Sequence, residues 1–196
     1  MSVRSMSDNE LISSYQEGNA ESFGILISRY KDKVFSYLVL QTKDQHLAED
    51  VFQDTFIKVM KSLKSGKYVE EGRFLSWVIR ISHNLVIDYY RKQNQVKKIV
   101  NESVDYDLFN NIQLADGNVE DEIVQNQINE AVVKLVELLP DDQKEVVLLR
   151  HFGGLSFKEI SDQTGVSINT ALGRMRYALI NLRRIIEEKQ VSLTLM

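Results

Sequence analysis

Three groups of side chains in this sequence have types and spacings that could do chemistry. The first is Glu49, Asp50, Gln53 and Asp54. Carboxylates at this density could ligate a metal or work as an acid–base pair. Both readings are set aside. His46 is the one histidine within a turn, no second carboxylate set stands at matching spacing, and a helix dipole favours acidic residues in its first half in any case. Two readings stay open at this point: a solvated face, or a surface that docks a basic partner.

The second group is Arg73, Arg80, His83, Asn84, Arg91 and Lys92, interleaved with Trp77, Tyr89 and Tyr90. Cations mixed with aromatics suit single-stranded nucleic acid, where bases stack and phosphates pair. The helical phase places Trp77 inward as packing and turns His83 and Tyr90 outward. Asp88 falls near the inner stripe and is expected to pair with an Arg or Lys, because a buried carboxylate without a partner is costly.

The third group is a punctuated helix pair. Ser156 with Glu159 three residues later is a capping box, Thr164–Gly165–Val166 is a short turn with glycine where a positive φ is needed, and Ser167 can cap the next helix. That helix carries an apolar stripe of Ala171, Met175, Ala178, Leu179, Leu182, Ile185 and Ile186. Asn169, Thr170, Gly173, Arg174, Tyr177 and Asn181 turn away from the stripe, with Leu172 and Arg176 at its flanks. The layout is a helix-turn-helix, whose outer face is either a reader of a DNA groove or the solvated side of a helical hairpin. Arg174, Arg176, Arg183 and Arg184 could reach phosphates, whereas donors for base edges are few.

Amphipathic helices must position these groups. Over residues 46–63, Leu47, Val51, Phe52, Thr55, Phe56, Val59, Met60 and Leu63 recur at the spacing of one helix face. Residues 73–91 repeat the pattern with Phe74, Trp77, Val78, Ile81 and Leu85 inward, and Phe23, Leu26, Ile27, Tyr30, Val34, Tyr37 and Leu38 mark a helix upstream. An apolar helix is expected over residues 128–139. One proline, nine glycines and no strand-like alternation give an all-α class.

The 196 residues are 43% apolar, enough for two small cores. Cysteine is absent, which excludes disulfides, thiolate zinc sites and a cysteine nucleophile, and fits a reducing compartment. Neither a signal peptide nor a membrane span is legible, so a cytoplasmic protein is expected. The net charge of −4 resolves into +3 over residues 1–98, −8 over residues 99–130, which hold no Lys or Arg, and +1 over residues 131–196. The segment NESVDYDLFNNIQLADGNVEDE reads as an acidic flexible linker. Three parts follow: a helical domain over residues 1–95, a linker over 96–125 and a helix-turn-helix domain over 126–196.

The runs AEDVFQDTFIKVMK, GRFLSWVIRISHNLVIDYYRKQ and LLPDDQKEVVLLRHFGGLSFKEISDQTGVSINTALGRMRYALINLRR together resemble the extracytoplasmic-function sigma factors of bacteria. The resemblance spans both domains in order, with a variable linker between. It implies a subunit without an active site, metal or cofactor that binds core RNA polymerase and directs it to promoter DNA. The face bearing Glu49, Asp50, Gln53 and Asp54 would dock on the clamp helices of the largest subunit, and the second domain would contact the flap of the second-largest. Lys67 in the loop Ser65–Gly72, together with Arg73, Arg80, His83, Asn84, Arg91 and Lys92, would melt and read the minus-ten element, Asn84 lying near the pocket for a flipped base. Ser167, Asn169, Thr170, Leu172, Gly173, Arg174, Arg176 and Tyr177 would face the minus-thirty-five element. Where many members have a basic residue followed by serine, this chain has Leu172 and Gly173, so a relative's consensus does not transfer and shape readout carries more. The family also implies an anti-sigma partner, often membrane-bound. The competing classes are a dimeric helix-turn-helix repressor or activator and a protein-interaction adaptor, with an enzyme last, since no triad, phosphate loop or metal constellation is legible.

Overall fold

A computed structural model describes residues 5–68, 72–99 and 134–189. Every regular element among them is a helix, and the chain divides into two compact units. The first contains α1 (Asp8–Gln16), α2 (Ala20–Thr42), α3 (Gln45–Lys64) and α4 (Phe74–Ile99). The second contains a helical turn at residues 134–137, then α5 (Asp141–His151), α6 (Phe157–Thr164) and α7 (Ile168–Lys189). No described helix is long and apolar enough to cross a membrane.

Side chains punctuate the first unit. Helix α1, absent from the expected elements, begins in a capping box in which the Ser7 amide donates to Glu10 Oε2 at 2.7 Å and the Glu10 amide to Ser7 Oγ at 3.4 Å. The Ser-x-x-Glu spacing before Leu11 and Ile12 is its sequence signal. Asn19 caps α2 through Glu21, and Asp44 caps α3 by accepting from the Leu47 amide at 3.1 Å. Each such cap contributes about 1 kcal/mol. Between them the chain reverses at Lys43, whose φ of 56° is in the left-handed region. Leu11, Leu26, Val34, Tyr37, Leu38, Val59, Leu63, Phe74 and Val78 form the buried interior of this bundle.

Helix α4 is rotated relative to the expected phase. Its buried residues are Phe74, Val78, Ile79, Ser82, His83 and Val86, whereas Trp77, Ile81 and Leu85 are half-buried. His83, expected to project outward, is 2% exposed. Its Nδ1 is hydrogen-bonded to the buried Tyr37 hydroxyl of α2 at 2.9 Å. Ser82 donates to the Val78 carbonyl at 3.0 Å and lies 3.3 Å from Thr55 Oγ1 of α3. Tyr90, also expected outward, is half-buried and donates to the Thr42 carbonyl at 3.1 Å. Asp88 does pair, with Arg91 at 3.3 Å, but in the open rather than near the inner stripe. The helix continues to Ile99, four residues past the boundary expected at residue 95. Most of the acidic linker lies outside the described residues, as does the 128–133 part of the expected apolar helix.

The second unit matches its punctuation closely. The Ser156 amide donates to Glu159 Oε2 at 2.8 Å and the Glu159 amide to Ser156 Oγ at 3.3 Å, closing the capping box of α6. Gly165 turns the chain at φ 69° and its amide donates to the Ser161 carbonyl at 3.0 Å. Ser167 Oγ then accepts from the Thr170 amide at 3.0 Å and starts α7. Leu135, Leu139, Ala178 and Ile185 form a core cluster with Val147, Leu182 and Ile186 against it. Here too one expected stripe residue differs: Leu179 is 48% exposed.

Burial pushes the His83 imidazole down to a pKa of about 4 from 6.5. The folded state therefore holds His83 neutral while the unfolded chain protonates it. Above pH 6.5 this group adds no pH dependence, and stability falls as pH drops from 6.5 towards 4, by about 3 kcal/mol over the window. Urea unfolding followed at Trp77, the one tryptophan in the chain, is expected to show that slope in the first unit, and His83→Gln is expected to flatten it. Equal slopes in the two proteins would assign the pH response to other groups.

Candidate polymerase and promoter surfaces

The buried stripe of α3, comprising Leu47, Val51, Thr55, Phe56, Val59 and Leu63, leaves the opposite face to solvent. Glu49, Asp50, Gln53 and Asp54 are all exposed on that face, as expected from their spacing. Sequence reasoning missed Ile57 in the same row. It is 44% exposed, and its i+4 spacing from Gln53 places a bare apolar side chain beside the acidic cluster. The signal was available, since an isoleucine in a solvated helix row breaks the binary pattern. Lys58 and Lys61 follow it, so the face runs from acidic through apolar to basic along the helix. His46 is exposed at the start of α3, and among the described residues no three His, Asp or Glu side chains gather as metal ligands.

On α4 the rotation just described decides what is presented. With Val78, Ile79, Ser82, His83 and Val86 buried, the residues Trp77, Arg80, Asn84, Ile87 and Arg91 fall in one row at alternating three- and four-residue spacing. Asn84, Arg91 and Lys92 are exposed, and Arg80 is half-buried. Arg73 is exposed just ahead of the helix, its carbonyl accepting from the Trp77 amide at 3.1 Å. Lys67 is exposed in the loop after α3, where Tyr68 lies against Trp77 with ring centroids 4.2 Å apart. Trp77 in turn stands 5.8 Å from Phe74, which stands 5.6 Å from Tyr30. The structure thus brings Arg80, Asn84 and Arg91 to one row, with Arg73 just ahead of the helix, Lys92 beside the row and Lys67 in the preceding loop, while His83 lies outside the set. That imidazole is sealed inside the bundle against Tyr37, contrary to the outward position expected of it, and cannot reach DNA from there.

Helix α7 divides differently from its predicted pattern. Ser167, Asn169, Thr170, Leu172, Arg176 and Tyr177 are exposed, Tyr177 at 62%. Gly173 is half-buried in the same outward sector. Arg174 and Asn181, expected outward, turn towards α5. Arg174 Nε pairs with Asp142 at 3.2 Å, and Asn181 Nδ2 donates to Gln143 Oε1 at 2.8 Å. Their phase is that of Ala171, Ala178 and Ile185, and the aliphatic stem of arginine lets it line an apolar contact while its head finds a carboxylate. Burial raises the Glu145 carboxyl on α5, opposed by the nearby Arg174 charge and assisted by Asp142 and Asp141. At the C-terminal end of α5, Arg150 donates to the Leu155 carbonyl at 2.7 Å and lies over the Phe157 ring at 5.5 Å, tying α5 to the start of α6.

An exposed acidic helix row, a row of cations and amide with aromatics beside it, and a capped helix-turn-helix agree with what known proteins show. Residues 26–96 match the family described as Sigma-70 region 2, and residues 129–177 match Sigma-70, region 4. The ECF RNA polymerase sigma-E factor of Haemophilus influenzae is 27% identical over 188 residues, covering 94% of this chain and 95% of that one. The ECF RNA polymerase sigma factor SigW of Bacillus subtilis is 26% identical over 177 residues, covering 88% and 93%. Among solved structures, CnrH in complex with the cytosolic domain of CnrY has a TM-score of 0.58 at 22% identity, covering 92% of this chain and 97% of that one. The sigma factor RpoE of Bartonella quintana, solved with the anti-sigma factor NepR, has a TM-score of 0.60 at 18% identity, covering 86% and 98%. These two share the fold. With two sigma-70 regions in order and relatives that align along nearly the whole chain, the protein belongs to the extracytoplasmic-function sigma factors, alternative sigma factors of the sigma-70 family that initiate transcription with core RNA polymerase at promoter DNA.

Proposed function

We propose that the three surfaces divide the work of initiation. The α3 face of Glu49, Asp50, Gln53 and Asp54 docks on the clamp helices of the polymerase's largest subunit. Its acidic half suits a basic partner, and an apolar residue bordered by charges is how protein interfaces concentrate affinity. Lys67, Arg73, Arg80, Asn84, Arg91 and Lys92 hold the melted minus-ten element. The single observation that carries this is the shared α4 row of Arg80, Asn84 and Arg91, which spaces cations and a base-reading amide along one line. Helix α7 reads the minus-thirty-five element as duplex, with the second unit also meeting the flap of the second-largest subunit. Domain limits of 1–95, 96–125 and 126–196 go with these roles. The protein works in the cytoplasm without an active site of its own, and an anti-sigma factor holds it in reserve.

Near-neutral charge supports the arrangement. A factor that binds DNA weakly by itself relies on polymerase for affinity, which limits unproductive occupancy of the genome.

Reversing Asp50 and Asp54 to Lys is expected to lower affinity for core polymerase at least tenfold in a binding titration while leaving thermal stability within about 0.5 kcal/mol, because both residues are on the surface. Unchanged affinity would remove the docking assignment.

In transcription with reconstituted holoenzyme, Arg176→Ala is expected to relax sequence preference at the upstream element, at about 1–3 kcal/mol if it contacts a base edge. Arg174→Ala acts otherwise: it loosens α7 from α5, lowering the stability of the second unit and reducing activity evenly across sequences. Asn84→Ala is expected to act on the downstream element. A shift by Asn84→Ala and Arg176→Ala at the same element would overturn this division.

A further inference from the structure

The first two turns of α7 present apolar side chains to solvent. Ile168 and Leu172 stand one turn apart, 43% and 44% exposed. Beside Leu172, Gly173 has no side chain, and a Cβ built there meets nothing within 4 Å. Arg174, the arginine nearest the helix start, is engaged by Asp142 at 3.2 Å. The hydroxyls of Ser167 and Thr170 are bonded to each other at 2.8 Å in the cap. What this end of the helix offers outward is therefore apolar carbon, with the exposed Asn169 carboxamide on one side and Arg176 a turn further on.

A leucine and an isoleucine facing water gain nothing from exposure, and either one pressed against a guanine or cytosine edge would strand base donors and acceptors without partners. The major groove displays one apolar group, the C5-methyl of thymine. We propose, building on the assignment of α7 to the minus-thirty-five element, that Leu172 and Ile168 select thymine there by contact with its methyl group. Gly173 lets the helix backbone approach the bases closely. Asn169, three residues before Leu172, is matched to adenine N6 and N7 through its carboxamide, so the facing step is rich in A·T pairs.

Deoxyuridine isolates the methyl, since it keeps every hydrogen-bonding group of thymine. Holoenzyme first selects its preferred upstream element from a randomised promoter library, and each thymine of the winner is then replaced in turn by deoxyuridine. At one or two positions the replacement is expected to weaken wild-type holoenzyme binding about fourfold, the worth of one buried methyl. In Leu172→Ala or Ile168→Ala holoenzyme the same replacement is expected to have no effect, and both side chains are exposed enough for the variants to fold. The proposal is overturned if no position responds in the wild type, or if the response survives in both variants. If deoxyuridine is silent while Arg176→Ala still shifts preference at this element, methyl readout fails and α7 remains the reader. If neither matters, the assignment of α7 fails with it.

Discussion

Helix α4 is held by polar side chains at positions that the apolar pattern alone leaves undecided. Tyr37 meets His83, Thr55 meets Ser82, and Tyr90 reaches the Thr42 carbonyl, so hydrogen bonds from α2, α3 and their junction converge on one helix, two at adjacent residues and the third about two turns further on. Apolar contacts tolerate a rotation of some tens of degrees, because neighbouring aliphatic residues can exchange places in a core at modest cost. Buried hydrogen bonds tolerate it less, since a rotated helix would break the bond between the buried His83 imidazole and the Tyr37 hydroxyl. The rotation chosen this way puts Arg80, Asn84 and Arg91 in one outward row. The surface proposed for nucleic acid is thus a consequence of what the helix hides.

The same seam explains where sequence reading succeeded and where it slipped. The all-α class, the capping box at Ser156, the turn at Gly165 and the acidic row of α3 were legible because each follows from local chemistry or from a strong period. The phase of α4 was not. Counting His83 as polar sent it outward and pulled Trp77, Ile81 and Leu85 inward, whereas pairing with Tyr37 buries the imidazole and leaves those three half-covered. A pairing between residues 46 apart has no local trace. Helix α7 erred for a related reason. Arg174 belongs to the inner side because Asp142 is there to receive it, and Leu179 is left exposed in exchange.

Charge is distributed in a way that suits a subunit of a larger machine. The described surfaces alternate in sign over short distances, with Glu49, Asp50 and Asp54 ahead of Lys58 and Lys61 on α3, and basic residues spread along the outer side of α4. Fields of opposite sign this close cancel beyond a Debye length of about 8 Å at physiological salt. Each patch therefore acts at contact range and contributes little long-range attraction to DNA. Selectivity for a partner then depends on fitting several patches at once, which a large multi-subunit surface can do and a bare duplex cannot.

The contacts of Arg174 with Asp142 and of Asn181 with Gln143 limit how freely this factor can be re-engineered. A recognition helix is often treated as a cassette, to be exchanged between relatives to build orthogonal transcription systems. Here the cassette has docking partners on the preceding helix. A donor sequence without an arginine and an asparagine seven residues apart would leave Asp142 and Gln143 unmatched and settle at a different tilt. Successful chimaeras should inherit α5 and α7 as a pair, and natural divergence of promoter preference should leave traces of linked substitution at positions 142, 143, 174 and 181.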